Sequence, residues 1–149
     1  MTTVEWFTPG EPAPKGSAKA FGWKSKDGRS GISITNASKK AKPWASSITY
    51  SAKEAMKTLS PMTGAMKVEI MFYMKRPKSH LRSNGELKPN APVYSTTTPD
   101  VDKLLRCAID ALTNVCFADD SQIAICLGVK EYANDGKVGA RFYVEEICS

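Results

Sequence analysis

The stretch "TTTPDVDKLLRCAIDALTNVCFADDSQI" runs from Thr96 to Ile123. After Pro99 the apolar residues Leu104, Leu105, Ala108, Ile109, Leu112 and Val115 recur every three or four positions, with Lys103, Arg106, Asp110 and Thr113 opposite. That period predicts an amphipathic helix of about 13 residues, roughly 20 Å long at 1.5 Å per residue. Pro99 removes a backbone donor and biases Thr98 towards extended backbone, so the helix begins just beyond it. Asp100 and Asp102 precede this helix, and Asp119 and Asp120 follow it.

Working outward, "GAMKVEIMFYMKRP" (64–77) alternates Met66, Val68, Ile70, Phe72 and Met74 with polar or amphipathic residues, the period of a half-buried strand that Pro77 ends. "KPWASSITYSAKEAMKTL" (42–59) predicts a second helix, with Pro43 in its first turn and a stripe of Trp44, Ile48, Ala52, Ala55, Met56 and Leu59. "VEWFTPGEP" begins as a short strand stopped by its prolines, and "ISIT" (32–35) reads as another. "SQIAICLGVKEYA" (121–133) and "GKVGARFYVEEI" (136–147) predict a terminal hairpin turning at Asn134-Asp135-Gly136. Residues 78–98 form a long polar loop of the kind that is functional or mobile. The order ββαβ-loop-αββ predicts one α+β domain over residues 1–149, with two main helices packed on a mixed or antiparallel sheet.

A chain of 149 residues suits one hydrophobic core, without repeat or linker. No apolar run reaches a membrane span, and the N-terminus lacks the pattern of a signal peptide. Cys107, Cys116, Cys126 and Cys148 show no C-x-x-C spacing and read as reduced thiols of a cytoplasmic protein.

Net charge is +6, but residues 1–98 carry sixteen Lys and Arg against six Asp and Glu. Residues 99–122 carry two against five. The cations cluster at 38–44, with Lys39, Lys40 and Lys42, and at 74–82, with Lys75, Arg76, Lys78, His80 and Arg82. A solubilising surface explains scattered lysines, whereas clusters interleaved with an aromatic or His suit a phosphate backbone.

Asp102, Asp119 and Asp120 also have ordinary structural roles open to them, whereas Asp100 is left unexplained by any. Asp102 suits a helix N-cap or first turn, and Asp119-Asp120 suits an acidic turn before a strand. Convergence of three or four carboxylates would instead require a cation, and an oxygen-only set selects Mg²⁺ or Mn²⁺. His80, the only histidine, lies in the loop, which argues against zinc. An EF-hand beginning at Asp100 fails at Leu104, Leu105 and Ala111. A glycine-rich phosphate loop and a Ser/His/Asp hydrolase motif are both missing. An acidic metal site in a basic frame is what phosphodiester cleavage needs.

"PDVDKLLRCAIDALTNVCFADDSQI" resembles the central motif of the RusA family of Holliday-junction resolvases, P-D-x-D-N-L-x-K-x-x-x-D-A-L followed by D-D-x-Q-[IV]. "RPKSHLRSNGELKPNAP" is similar to the loop preceding that motif in phage-borne members. The resemblance implies an α+β homodimer that cuts four-way DNA junctions with Mg²⁺, for which Mn²⁺ can substitute, by paired nicks in recombination and repair. It implies metal-binding roles for Asp100, Asp102 and Asp120, with Asp119 as their partner. The family's Asn after D-x-D is Lys103 here, and its helix lysine, thought to assist catalysis, is Arg106. Arg106 can clamp a phosphate bidentately but exchanges protons poorly, so Lys103 is the candidate to replace the family's ammonium. A second reading follows from those two departures: a junction-binding protein with weak or lost cleavage.

Overall fold

Alternation in β4 (Ala65–Met74) organises the domain, because Met66, Val68, Ile70 and Phe72 are fully buried on one face. The computed structural model describes residues 2–15, 18–36 and 39–147. β4 pairs antiparallel with β6 (Gly139–Ile147) on one side and parallel with β5 (Ile123–Tyr132) on the other. β1 (Thr3–Pro9) lies antiparallel beyond β6, giving a mixed sheet of order β1-β6-β4-β5. The expected α+β domain is present, and the expected terminal hairpin is not. The turn at Asn134–Lys137 does form, with the Lys137 N–H donating to the Asn134 carbonyl at 3.2 Å. It makes a corner rather than a hairpin, and β5 and β6 end on opposite sides of β4. Alternation records which face of a strand is buried and is silent about its neighbour.

A second difference lies near the N-terminus. β2 (Ala18–Lys24) pairs with β3 (Ser30–Asn36) in a separate two-stranded hairpin, where the sequence suggested only the second strand. The lysines and glycine of "AKAFGWK" obscure the period of β2.

The helices cover the apolar face of β4 and β6. α1 (Ala41–Met56) buries Trp44, Ile48, Ala52 and Met56 at fourfold spacing. Lys57 then takes a positive φ of 53°, which ends the helix and leaves Leu59 exposed, short of the expected boundary. α2 (Val101–Leu112) buries Leu104, Cys107, Ala108, Ala111 and Leu112. The stripe is therefore rotated from the expected one: Leu105 and Ile109 lie half-buried at its margin, and Val115 falls beyond the helix. Small residues allow the helices to approach, and Thr49 Oγ1 donates to the Ala111 carbonyl at 3.0 Å. Cys107 and Cys116 are buried free thiols and Cys126 is an exposed one, while Cys148 lies outside the described residues. Burial pushes the Cys116 thiol up to about 12. No helix among the described residues is long and apolar enough to cross a membrane.

α2 is the crossover between the parallel strands β4 and β5, so it runs antiparallel to β5 and packs closely on it. A Cβ at Gly128 would lie 2.7 Å from Leu105 Cδ1 and 3.0 Å from Val101 Cγ2. Gly128→Ala therefore forces the Leu105 and Val101 side chains at the start of α2 to give way. We expect it to lower unfolding free energy by about 1–3 kcal/mol, read from chemical denaturation.

Candidate active site

The crossover decides where the aspartates stand. Pro99, preceded by a cis peptide bond, delivers the chain to α2 at the C-terminal ends of β4 and β5. Asp100 occupies the N-cap position with extended backbone, yet its side chain accepts no capping hydrogen bond. Its carboxylate instead faces Lys103 Nζ at 3.6 Å. Asp102 lies exposed in the first turn, where the positive end of the helix dipole favours an acid by about 0.3–1 kcal/mol. Neither carboxylate is consumed by helix capping.

Lys130, which sequence reasoning did not single out, holds this corner in place. Its ammonium donates to the carbonyls of Thr97 at 2.5 Å and Pro99 at 2.8 Å. Nothing in "GVKEY" marks that lysine, because the carbonyls it meets lie more than thirty residues earlier. Beside Asp100 opens a cleft of about 390 Å³ lined by Glu11, Pro14, Lys40, Pro99 and Lys103 among others. The fold thus carries Lys40, from the first basic cluster, to the same cleft as Asp100 and Lys103. Lys40 also pairs with Glu11 at 3.2 Å. Lys39 and Lys42 are exposed nearby at the start of α1.

The second basic cluster follows the C-terminal end of β4 and therefore lies at the same end of the sheet. Lys75, Lys78 and Arg82 are exposed and join no ion pair among the described residues. Arg76 and His80 are half-buried and turned inward. Arg76 donates to the Pro92 carbonyl at 2.8 Å and lies 5.2 Å from the centre of the Tyr132 ring, against which His80 packs edge-on. The long loop is tied down by its backbone. Lys88 N–H donates to the His80 carbonyl at 2.9 Å, and Ser95 N–H to the Lys130 carbonyl at 3.0 Å. Arg106 is exposed on α2 one turn beyond Asp102.

Asp119 and Asp120 stand at the other end. They open a short 3-10 turn, Asp120–Gln122, immediately before β5. The 12-residue α2 separates them from Asp100 by about 18 Å of helix. Among the described residues no three acidic, His or Cys side chains gather into a metal-holding group. Asp119 is committed structurally: its Oδ1 accepts from the Ser121 N–H at 2.8 Å. That bond, with help from the Ser121 hydroxyl and Asp120, holds the exposed Asp119 carboxyl below its usual 3.8. Asp120 is exposed beside it.

Gln122 clamps this acidic turn to the sheet. Its Oε1 accepts from the Asp119 N–H at 2.8 Å, while its Nε2 donates to the carbonyls of Met62 at 3.0 Å and Gly64 at 2.9 Å. One amide side chain thereby fixes the acids to the entry of β4. The glutamine of the D-D-x-Q pattern was the available signal, although composition alone assigns it no role.

Comparison with known proteins gives a concordant result. The family described as "Endodeoxyribonuclease RusA" matches residues 9–142. The Bacillus subtilis (strain 168) "Uncharacterized protein YqaN" is 29% identical over 79 residues, which cover 52% of this chain and 56% of that protein. The chain thus spans little more than half the length of this curated relative.

Gln122→Ala leaves the Met62 and Gly64 carbonyls without that donor and frees the Asp119 turn. The expected loss is about 1–3 kcal/mol of stability, with faster amide exchange at Asp119–Ile123 as the local readout.

Proposed function

The chain belongs to the RusA endodeoxyribonuclease family, and from that premise we propose that it is a Mg²⁺-dependent, structure-selective endonuclease. Its substrate would be branched DNA, above all the four-way junction, cut by paired nicks in DNA recombination and repair. The observation that carries this reading is the end of the sheet where Asp100, not spent on capping, shares a cleft with Lys40 and Lys103, with Asp102 exposed in the first turn just beyond it. The exposed cations Lys75, Lys78 and Arg82 extend from the same end.

Oxygen donors alone, with no His or Cys beside them, fit a hard divalent cation. Asp100 and Asp102 would hold Mg²⁺ or Mn²⁺, which would polarise the scissile phosphate and lower the pKa of attacking water, while Asp120 and its neighbour Asp119, which the family resemblance adds to that set, stand at the far end of α2 within one chain. Lys40 and Lys103 would orient that phosphate across the cleft. Arg106 keeps its charge throughout and suits a bidentate phosphate clamp, which leaves the ammonium of Lys103 as the group able to exchange a proton. Lys39, Lys42, Lys75, Lys78 and Arg82 would follow the flanking backbones and read shape rather than base identity. Arg76 and His80 would act more indirectly, by setting the course of the loop that carries their neighbours. Resolution requires nicks in strands related by a two-fold axis, and one chain without internal repeat supplies one acidic set, so the working form would be a C₂ homodimer.

Cleavage of a synthetic four-way junction should appear with Mg²⁺ or Mn²⁺ and vanish in excess EDTA. Equal cutting in EDTA would overturn the metal-dependent reading, and tight binding without cutting under any metal would return the second reading, a junction binder. Asp102→Asn should abolish cleavage while junction affinity holds or rises, because repulsion of the phosphate is relieved. Lys78→Ala should weaken binding on every junction sequence and flatten the logarithmic salt slope by about one unit.

A further inference from the structure

The β2–β3 hairpin forms a sheet of its own, and its strands pack chiefly on each other. A lone two-stranded hairpin is marginal in water and gains stability from whatever covers it. Cross-strand partners share a face, and each face here sets one large apolar side chain opposite a glycine. Trp23 pairs with Gly31 on one face and Ile32 with Gly22 on the other. The indole lies across Gly31, where a Cβ would meet it at 2.7 Å. A Cβ at Gly22 would meet nothing within 4 Å, so the face beside Ile32 is open. Trp23 is 45% accessible and Ile32 75%. The tip is ordered and basic. The Ser25 N–H donates to the Arg29 carbonyl at 2.7 Å, and Asp27, the turn's only acid, accepts from Arg29 Nε at 2.9 Å. Lys24 and Lys26 stay exposed and join no ion pair among the described residues.

Both feet of the hairpin stand at the candidate active site. Before β2, the Lys15 N–H donates to the Lys103 carbonyl at 3.2 Å, and the Lys15 ammonium pairs with Asp110. After β3, Lys40 lines the cleft that holds Asp100. Trp23 lies about 17 Å along the strand from Ala18. Resting on the nuclease reading, we propose that this hairpin enters the branch point of the DNA, with Trp23 stacked on the end base pair of one arm and Ile32 against that of another. A continuous duplex hides its base-pair faces, whereas a branch point exposes them. A ribbon with an apolar side chain on each face fits the gap between two such faces, the role that apolar wedges play between unstacked base steps. Lys24 and Lys26 then meet the converging backbones, where phosphate charge is densest. The hairpin thereby makes the site selective for branched DNA, which the cations around the cleft, reading phosphates alone, do not do.

Four-way junctions carrying 2-aminopurine either beside the branch point or in the middle of an arm test this, with Ca²⁺ as the only divalent ion so that the strands stay intact. The wild-type protein should quench the branch-point probe and leave the mid-arm probe unchanged. Trp23→Phe should keep most of that quenching, and Trp23→Leu should lose it. Trp23→Leu should also weaken junction binding by about 5- to 100-fold while binding to linear duplex is unchanged. Ile32→Ser should give a smaller loss with the same selectivity. Wild-type quenching in Trp23→Leu, or equal losses on junction and linear duplex, overturns the proposal and leaves the nuclease reading standing. A wild-type protein that binds junction and linear duplex equally well overturns both.

Discussion

The parallel pairing of β4 with β5 is the constraint on which the other features depend. Parallel neighbours cannot be joined by a tight turn, so the chain must return to the starting end of the sheet before β5 begins. Here the 78–98 loop leaves the end of β4 and α2 makes the return. This route places whatever precedes α2 at the C-terminal end of the strands and whatever follows it at the N-terminal end. The lack of a side chain at Gly128 lets Leu105 and Val101 of the helix pack close on the strand, and Lys130 ties the entry of α2 to the end of β5. Position of the acidic residues is thus a consequence of topology before it is one of chemistry.

Electrostatics then distinguishes the two acidic groups. Asp100 shares a cleft with Lys40 and Lys103, Asp102 is exposed in the first turn of α2 beside it, and Lys75, Lys78 and Arg82 extend from the same end of the sheet. Such exposed pairs as Lys103–Asp100 contribute little to stability, of order 0–1 kcal/mol, and under the proposed function the surrounding cations would supply a field for binding phosphate. Asp119 and Asp120 are positioned by hydrogen bonds instead. Asp119 accepts from Ser121 and donates its own N–H to Gln122, which in turn spans the backbone at Met62 and Gly64. Asp119 is thereby committed to the turn, and Asp120 is left exposed to solvent beside it.

Much of this was legible in the sequence for physical reasons. Strict alternation in "MKVEIMFYM" and the 3.6-residue period after Pro99 report burial directly, so β4, α1, α2 and the α+β class followed from them. Partner choice was not legible. The Asp135-Gly136 turn, with φ of 56° and 69°, announces a reversal of direction and cannot say whether the returning strand pairs with its predecessor or passes to the far side of β4. β2 was hidden because "AKAFGWK" breaks its own alternation. The aspartates were identifiable as a group from the motif that resembles the RusA family. Their division between the two ends of α2 depends on the crossover, and so do the roles of Lys130 and Gln122, whose partners lie far away in the chain.

The proposed cleavage requires the two separated acidic pairs to act as one metal-holding unit. Paramagnetic broadening by Mn²⁺ tests this directly, because it reports which amides lie near a single bound ion. The account predicts one class of site per chain. The amides of Asp100–Asp102 and of Asp119–Asp120 should broaden together at the same Mn²⁺ concentration, and both effects should disappear when either Asp102 or Asp120 is changed to Asn. Broadening confined to one pair, or two independent titrations at the two ends of α2, would contradict it.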